Sequence, residues 1–199
     1  MSTERPGILT AIAILGIILG ALGLIGSLMS VGGILLQGQM LDLPGAGDIV
    51  EAQRQLAEQI TEITRAYIVP TVVGAVANFV VCVLLILGGA WLLARKPAGI
   101  GLMTGTVAAA VVVDLYNTAL AAYVQVKVMP LTEQMMRAAA ADMPPGADAA
   151  MDSVMSAALW AGMAVTVFWL LCKLAYYIVA LVALKKPAVK DWVAEGAVA

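Results

Sequence analysis

The stretch IGLMTGTVAAAVVVDLYNTALAAY, residues 100 to 123, decides the fold. It contains no Lys, Arg or Glu and exceeds the roughly 18 apolar residues that mark a membrane-crossing helix. Its one carboxylate, Asp114, lies well inside the run, with Asn117 and Thr118 one turn further on. A charge at that depth is expensive in hydrocarbon, so the rest of the chain has to supply a reason for it.

Composition places the whole chain in lipid. Of 199 residues, 62% are apolar and 12% charged, and the mean hydropathy is +0.98. The net charge of -2, with no basic cluster interleaved with aromatics, excludes a nucleic-acid partner. Histidine is absent, which removes the commonest metal ligand and general base. Without a metal-ligand cluster, a nucleophile-base pair or a Gly-rich phosphate loop, no metal, cofactor or enzymatic activity is expected. Cys82 and Cys172 both fall in apolar stretches and read as small hydrophobes.

Working outward from residues 100 to 123, three more runs are long enough to span, giving an all-α, integral membrane four-helix bundle treated as one domain, 1 to 199. The expected spans are 8 to 36, 67 to 94, 100 to 123 and 157 to 184, followed by a tail, 185 to 199. The first is read as a retained helix, because its apolar run is about twice as long as a secretory h-region. Six cations, Arg5, Arg95, Lys96, Lys185, Lys186 and Lys190, hug the span ends on one side, against four, Arg54, Arg65, Lys127 and Arg137, on the other. Both termini are therefore expected to be cytoplasmic. The Ala, Gly and Val bias, without Asn-x-Ser/Thr acceptors in the loops, fits a bacterial inner membrane.

Two loops, 37 to 66 and 124 to 156, are expected to form extracytoplasmic amphipathic helices. In the first, Ile49, Leu56, Ile60, Ile63 and Tyr67 recur at helical spacing, Asp48 is placed to cap, and the helix is expected to run into the second span with a bend near Pro70. The second is rich in methionine, at Met135, Met136, Met143, Met151 and Met155, and is expected to pack on itself or on the lipid interface. Tyr67, Tyr123 and Trp160 are expected at the outer interface, and Trp91 and Trp192 at the inner one.

A shift of 90 residues aligns FVVCVLLILGGAWLLARKPA (79 to 98) with WLLCKLAYYIVALVALKKPA (169 to 188), with six identities that include the closing KPA. This suggests a parallel repeat of two helices plus two. In topology the chain resembles the broad tetraspan class, without the Cys-Cys-Gly of tetraspanins or the Trp-Gly-Leu-Trp of claudins.

Two sets of residues are candidates for function. Ala13, Gly16, Gly20, Gly23, Ser27 and Ser30 form a small-residue seam along the first span, with Gly101 and Gly105 as the matching groove in the third. Such a seam serves packing within the bundle or an interface between copies, and a homo-oligomer or larger membrane complex is expected.

The second set is polar: Asn78, Asp114, Asn117, Thr118, Lys173, Tyr176 and Tyr177. Counting from the nearest helix ends, Asp114 lies about 24 Å and Lys173 about 18 Å from the same surface, a difference that a lysine side chain can bridge. Each alone costs roughly 2.5–3.5 kcal/mol at mid-bilayer, so pairing accounts for both. Trp169, Tyr176 and Tyr177 flank the lysine and offer a ring face or hydroxyls. The leading expectation is a non-enzymatic scaffold or accessory subunit stabilised by a charge clamp. The alternative is a small oligomeric channel or transporter using the same polar seam.

Overall fold

The computed structural model describes residues 7–40, 51–140 and 147–196. They form six helices, α1 (Gly7–Met40), α2 (Glu51–Ala66), α3 (Ile68–Leu93), α4 (Ala98–Ala140), α5 (Ala147–Leu184) and α6 (Pro187–Gly196), with no strand among the described residues. Four of them are long and apolar enough to cross a membrane. The protein is an all-α membrane bundle.

The spans alternate in direction. Gly89 lies against the Ala13 carbonyl, and Gly20 against the Cys82 carbonyl, so α1 and α3 run antiparallel. Gly88 meets Met103 and Gly74 meets Asn117, so α3 and α4 do the same. The end of the bundle with the 94–97 turn and α6 is called proximal below, and the end with α2 distal. The hydrophobic core is proximal: Leu9, Leu92, Met103, Tyr177 and Leu184 are almost fully buried there.

The helices end for local reasons. Pro70 has no N–H for the carbonyl of Ala66, and its ring would crowd that carbonyl. The chain therefore breaks at Tyr67, one turn before the proline, which is the bend expected near Pro70. Pro70 itself sits harmlessly in the first turn of α3. Leu56, Ile60 and Ile63 of α2 are half-buried while Glu58, Glu62 and Arg65 are exposed, which is the expected amphipathic split. Asp48, Ile49 and the five loop methionines lie outside the residues whose side chains are described.

The third span does not stop at Tyr123. α4 continues for 43 residues, through Pro130, to about 64 Å of rise. Gln125 and Lys127 lower the hydropathy, but Val124, Val126, Val128 and Leu131 keep the helix going; polarity ends a hydrophobic run without ending a helix. α5 likewise runs unbroken for 38 residues from Ala147, well upstream of the expected start at 157. The helical character expected of the second loop therefore takes the form of extensions of α4 and α5.

The tail also folds. Val189, Trp192 and Val193 of α6 are buried in the proximal core, so Trp192 faces the bundle rather than its surroundings. It packs under the 94–97 turn, which closes α3 with paired bonds, Lys96 N–H to the Trp91 carbonyl (2.9 Å) and Arg95 N–H to the Leu92 carbonyl (3.2 Å). That closure requires a left-handed residue, and Arg95 fills the position at φ 56° where glycine is usual. The Arg95 guanidinium lies 4.3 Å from the centre of the Trp192 ring, a contact that glycine cannot make.

Both KPA segments open a helix: Lys96 accepts from Gly99 N–H at 2.8 Å and Lys186 from Val189 N–H at 3.1 Å. The aligned cysteines differ in surroundings, Cys82 being buried and Cys172 exposed.

Candidate functional site

Asp114 of α4 accepts two charge-assisted hydrogen bonds from α5. Lys173 Nζ donates to Oδ1 at 2.6 Å and the Tyr177 hydroxyl donates to Oδ2 at 2.6 Å. Lys173 and Tyr177 are four residues apart, so one face of α5 presents both donors. The side chains of Lys173 and Asp114 are only 15% and 10% exposed, so water screens the pair weakly. The expected pairing is present, and it includes a third partner.

Tyr176 points elsewhere. Its hydroxyl donates to the Ile12 carbonyl of α1 at 3.0 Å, and its ring meets Tyr177 edge to face at 5.7 Å. Gly16, four residues after Ile12, makes the approach possible, since a Cβ there would lie 2.6 Å from the Tyr176 oxygen. Asn78 reaches α1 instead of Asp114: its amide donates to Ser27 Oγ at 2.7 Å, and Ser27 donates in turn to the Gly23 carbonyl at 2.9 Å. Asn117 donates to the Gly74 carbonyl of α3 at 3.3 Å, and a Cβ on Gly74 would collide with that amide.

The two expected sets thus exchange members. Ser27 is a hydrogen-bonding residue as well as a small one. Ala13, Gly16, Gly20 and Gly23 are packed as a seam, but chiefly against α3, with Gly16 against Met103 and Tyr176. Gly101 and Gly105 are not their groove: a Cβ added at either meets nothing within 4 Å. The close approaches to the α1 seam come from Gly89 and Cys82 of α3. Apolar side chains gain nothing by leaving lipid, so backbones settle where small residues face each other, and those pairs follow helix order. The Ser30 side chain lies outside those described.

Distal to the ion pair the helices part around a cavity of about 800 Å³. Ser27, Asn78, Asp114, Asn117 and Lys173 line it, and its walls are Leu22, Ile60, Ile68, Leu120, Val124, Val128, Met129 and Trp169. Thr64, Thr71, Gln125 and Thr132 carry polar atoms up the same walls. Thr118, expected in the cluster, is half-buried and takes no part in the lining. Trp169 forms wall. Thr64 and Thr71 escaped notice in the sequence because one threonine lies in a polar amphipathic helix and the other stands alone in an apolar one, so neither carries a spacing signal; only the tertiary convergence makes them a set.

The cavity is open on one flank. Trp160, Val165, Phe168 and Leu171 of α5 are each more than half exposed, and Gly162 has open space around it. α5 therefore leans on its neighbours only from about Lys173 onward. Proximal to Asp114 the picture inverts. Met103, Val107, Ala110, Tyr177, Ala180 and Leu184 pack into an apolar plug in which Thr106 is the buried polar side chain among the described residues.

At the distal rim the Tyr67 hydroxyl meets that of Tyr123 at 3.4 Å, and Lys127 lies 5.8 Å from the Tyr123 ring centre. Compared with known protein families, characterised proteins and solved structures, the chain matches none.

Proposed function

We propose that the protein is a non-enzymatic scaffold or accessory subunit of a membrane assembly, in a bacterial inner membrane with cytoplasmic termini. It associates through exposed helix faces and presents its distal helical extensions on the extracytoplasmic side. The outward face of α4 carries this reading. Gly101, Gly105 and Ala109 recur every four residues on it, all exposed, in the spacing that lets a second helix approach closely. A membrane helix loses backbone contact to lipid along such a stripe, and another helix restores it. Asp114 and Lys173 pair with each other, which supports a structural role for the ion pair.

The test is association in nanodiscs by native mass spectrometry and crosslinking. The expected result is a homo-oligomer or partner complex that Gly101→Leu and Gly105→Leu dissolve without lowering stability. A wild-type chain that is only ever a partner-free monomer removes the reading.

The second reading, a small channel or transporter, is favoured by the open cavity above Asp114 and Lys173. The apolar plug beneath them counts against a continuous polar path. Saturable flux into proteoliposomes by the wild type decides for it.

A further inference from the structure

We propose that the distal cavity is a binding site for a neutral amphiphile, its hydroxyl- or amide-bearing head on the polar floor and its apolar chain leaving past Trp169. This inference is independent of whether the protein associates through α4.

The shape supports it first. A volume of about 800 Å³ lies within the range of roughly 300–1,000 Å³ typical of small-molecule sites. The walls are mostly apolar, with three threonines and Gln125 along them, while the ion pair, Ser27 and the two asparagines gather at one end, an arrangement that orients a molecule with one wet end. Because α5 stands clear of its neighbours on the distal side of Lys173, the entrance faces the side of the bundle that lipid occupies.

The charge of the floor selects the head group. Asp114 and Lys173 cancel each other, so an ionised head would bring an uncompensated charge into a weakly screened site. A carboxylate would compete with Asp114 for the lysine, and an ammonium would compete with Lys173 for the aspartate. A neutral polar head faces neither penalty.

The floor also has bonding capacity that the described residues do not use. An ammonium has three N–H donors, and one of Lys173's goes to Asp114. Asn78 uses an amide N–H to reach Ser27, and its side chain carries a carbonyl acceptor besides. Donors and acceptors at the same depth suit a group that both donates and accepts, as a hydroxyl or a primary amide does. Water can serve that role in the absence of a ligand, but it cannot cover the apolar walls above.

The test uses Trp169 as reporter. The full chain in nanodiscs is titrated with a monoacylglycerol brominated in mid-chain, and tryptophan quenching is followed. The same chain as a free fatty acid and as an amine supplies the charged comparisons. Brominated phosphatidylcholine, added as bulk lipid, measures quenching from the bilayer alone.

The expected result is a saturable component for the glycerol ester, weaker by about ten-fold or more for the charged heads. That component should disappear in Trp169→Phe and be displaced in Ala121→Phe. Ala121 lines the cavity on an exposed position, so a ring there fills space without breaking a core contact. Should Ala121→Phe lower the melting temperature, Val128→Phe on the same wall replaces it.

Quenching that merely follows bulk lipid content overturns the proposal, as does equal affinity for all three heads. So does a saturable signal that survives both filling variants.

Discussion

The Tyr177 hydroxyl and the Asp114 carboxylate meet at 2.6 Å, on the far oxygen from the one that Lys173 holds. Both carboxylate oxygens therefore have a donor from the same helix, and the aspartate is fixed in position. Removing one partner leaves the other buried and unmatched, which typically costs about 3–5 kcal/mol.

Asp114→Asn and Lys173→Met are each expected to destabilise by that amount in chemical unfolding from detergent micelles. The double variant should lose clearly less than the sum, because it leaves no orphan charge. Additive losses would mean the two groups are not coupled.

Tyr177→Phe removes a hydrogen bond to a charged group, expected to cost about 1.5–3 kcal/mol. Tyr176→Phe removes one to a neutral carbonyl, expected to cost about 1 kcal/mol. Unfolding midpoints of the two variants, which delete the same atom one residue apart, give the ordering. A reversal would show that the Ile12 contact matters more than the aspartate.

Glycine positions should separate by their neighbours. Gly89→Ala places a methyl 2.8 Å from the Ala13 carbonyl, so α1 and α3 have to move apart. Overpacking of this kind typically costs about 1–3 kcal/mol. Gly105→Ala meets open space and is expected to leave stability unchanged or to raise it slightly, by helix propensity. Thermal melts of the two alanine variants check the contrast.

At the proximal end, Arg95 combines a left-handed backbone with a ring contact. Arg95→Gly relieves a cost of about 1–2 kcal/mol and loses a cation-π contact of about 0.5–2 kcal/mol, so it should lie near wild type. Arg95→Ala keeps the strain and loses the contact, and should be the less stable of the two. Trp192→Ala empties a core position and is expected to cost about 3–5 kcal/mol. If removing Trp192 costs nothing, α6 is not part of the core.

Much of this was legible because hydrocarbon enforces simple rules. The four spans followed from run length, and the Asp114 and Lys173 pair followed from matching depths. Helix ends were less legible, since Gln125 and Lys127 change hydropathy without changing backbone geometry. The partner of the α1 seam was illegible, because several helices offered glycines and sequence spacing does not say which helix lies next to which. Gly101 and Gly105 looked like the groove; Gly89 and Cys82 are.

The sequence by itself determined a four-span helical membrane protein with one aspartate and one lysine too deep to remain apart. These are properties of single helices and of depth, which primary structure carries directly. Tertiary structure decided that Tyr177 completes the pair and that Asn78 turns to Ser27. It also decided that the tail seals the proximal core and that the distal helices open around a polar-floored cavity. Each of these depends on which faces of different helices meet, and in lipid that choice rests on close packing between surfaces, which no one segment specifies.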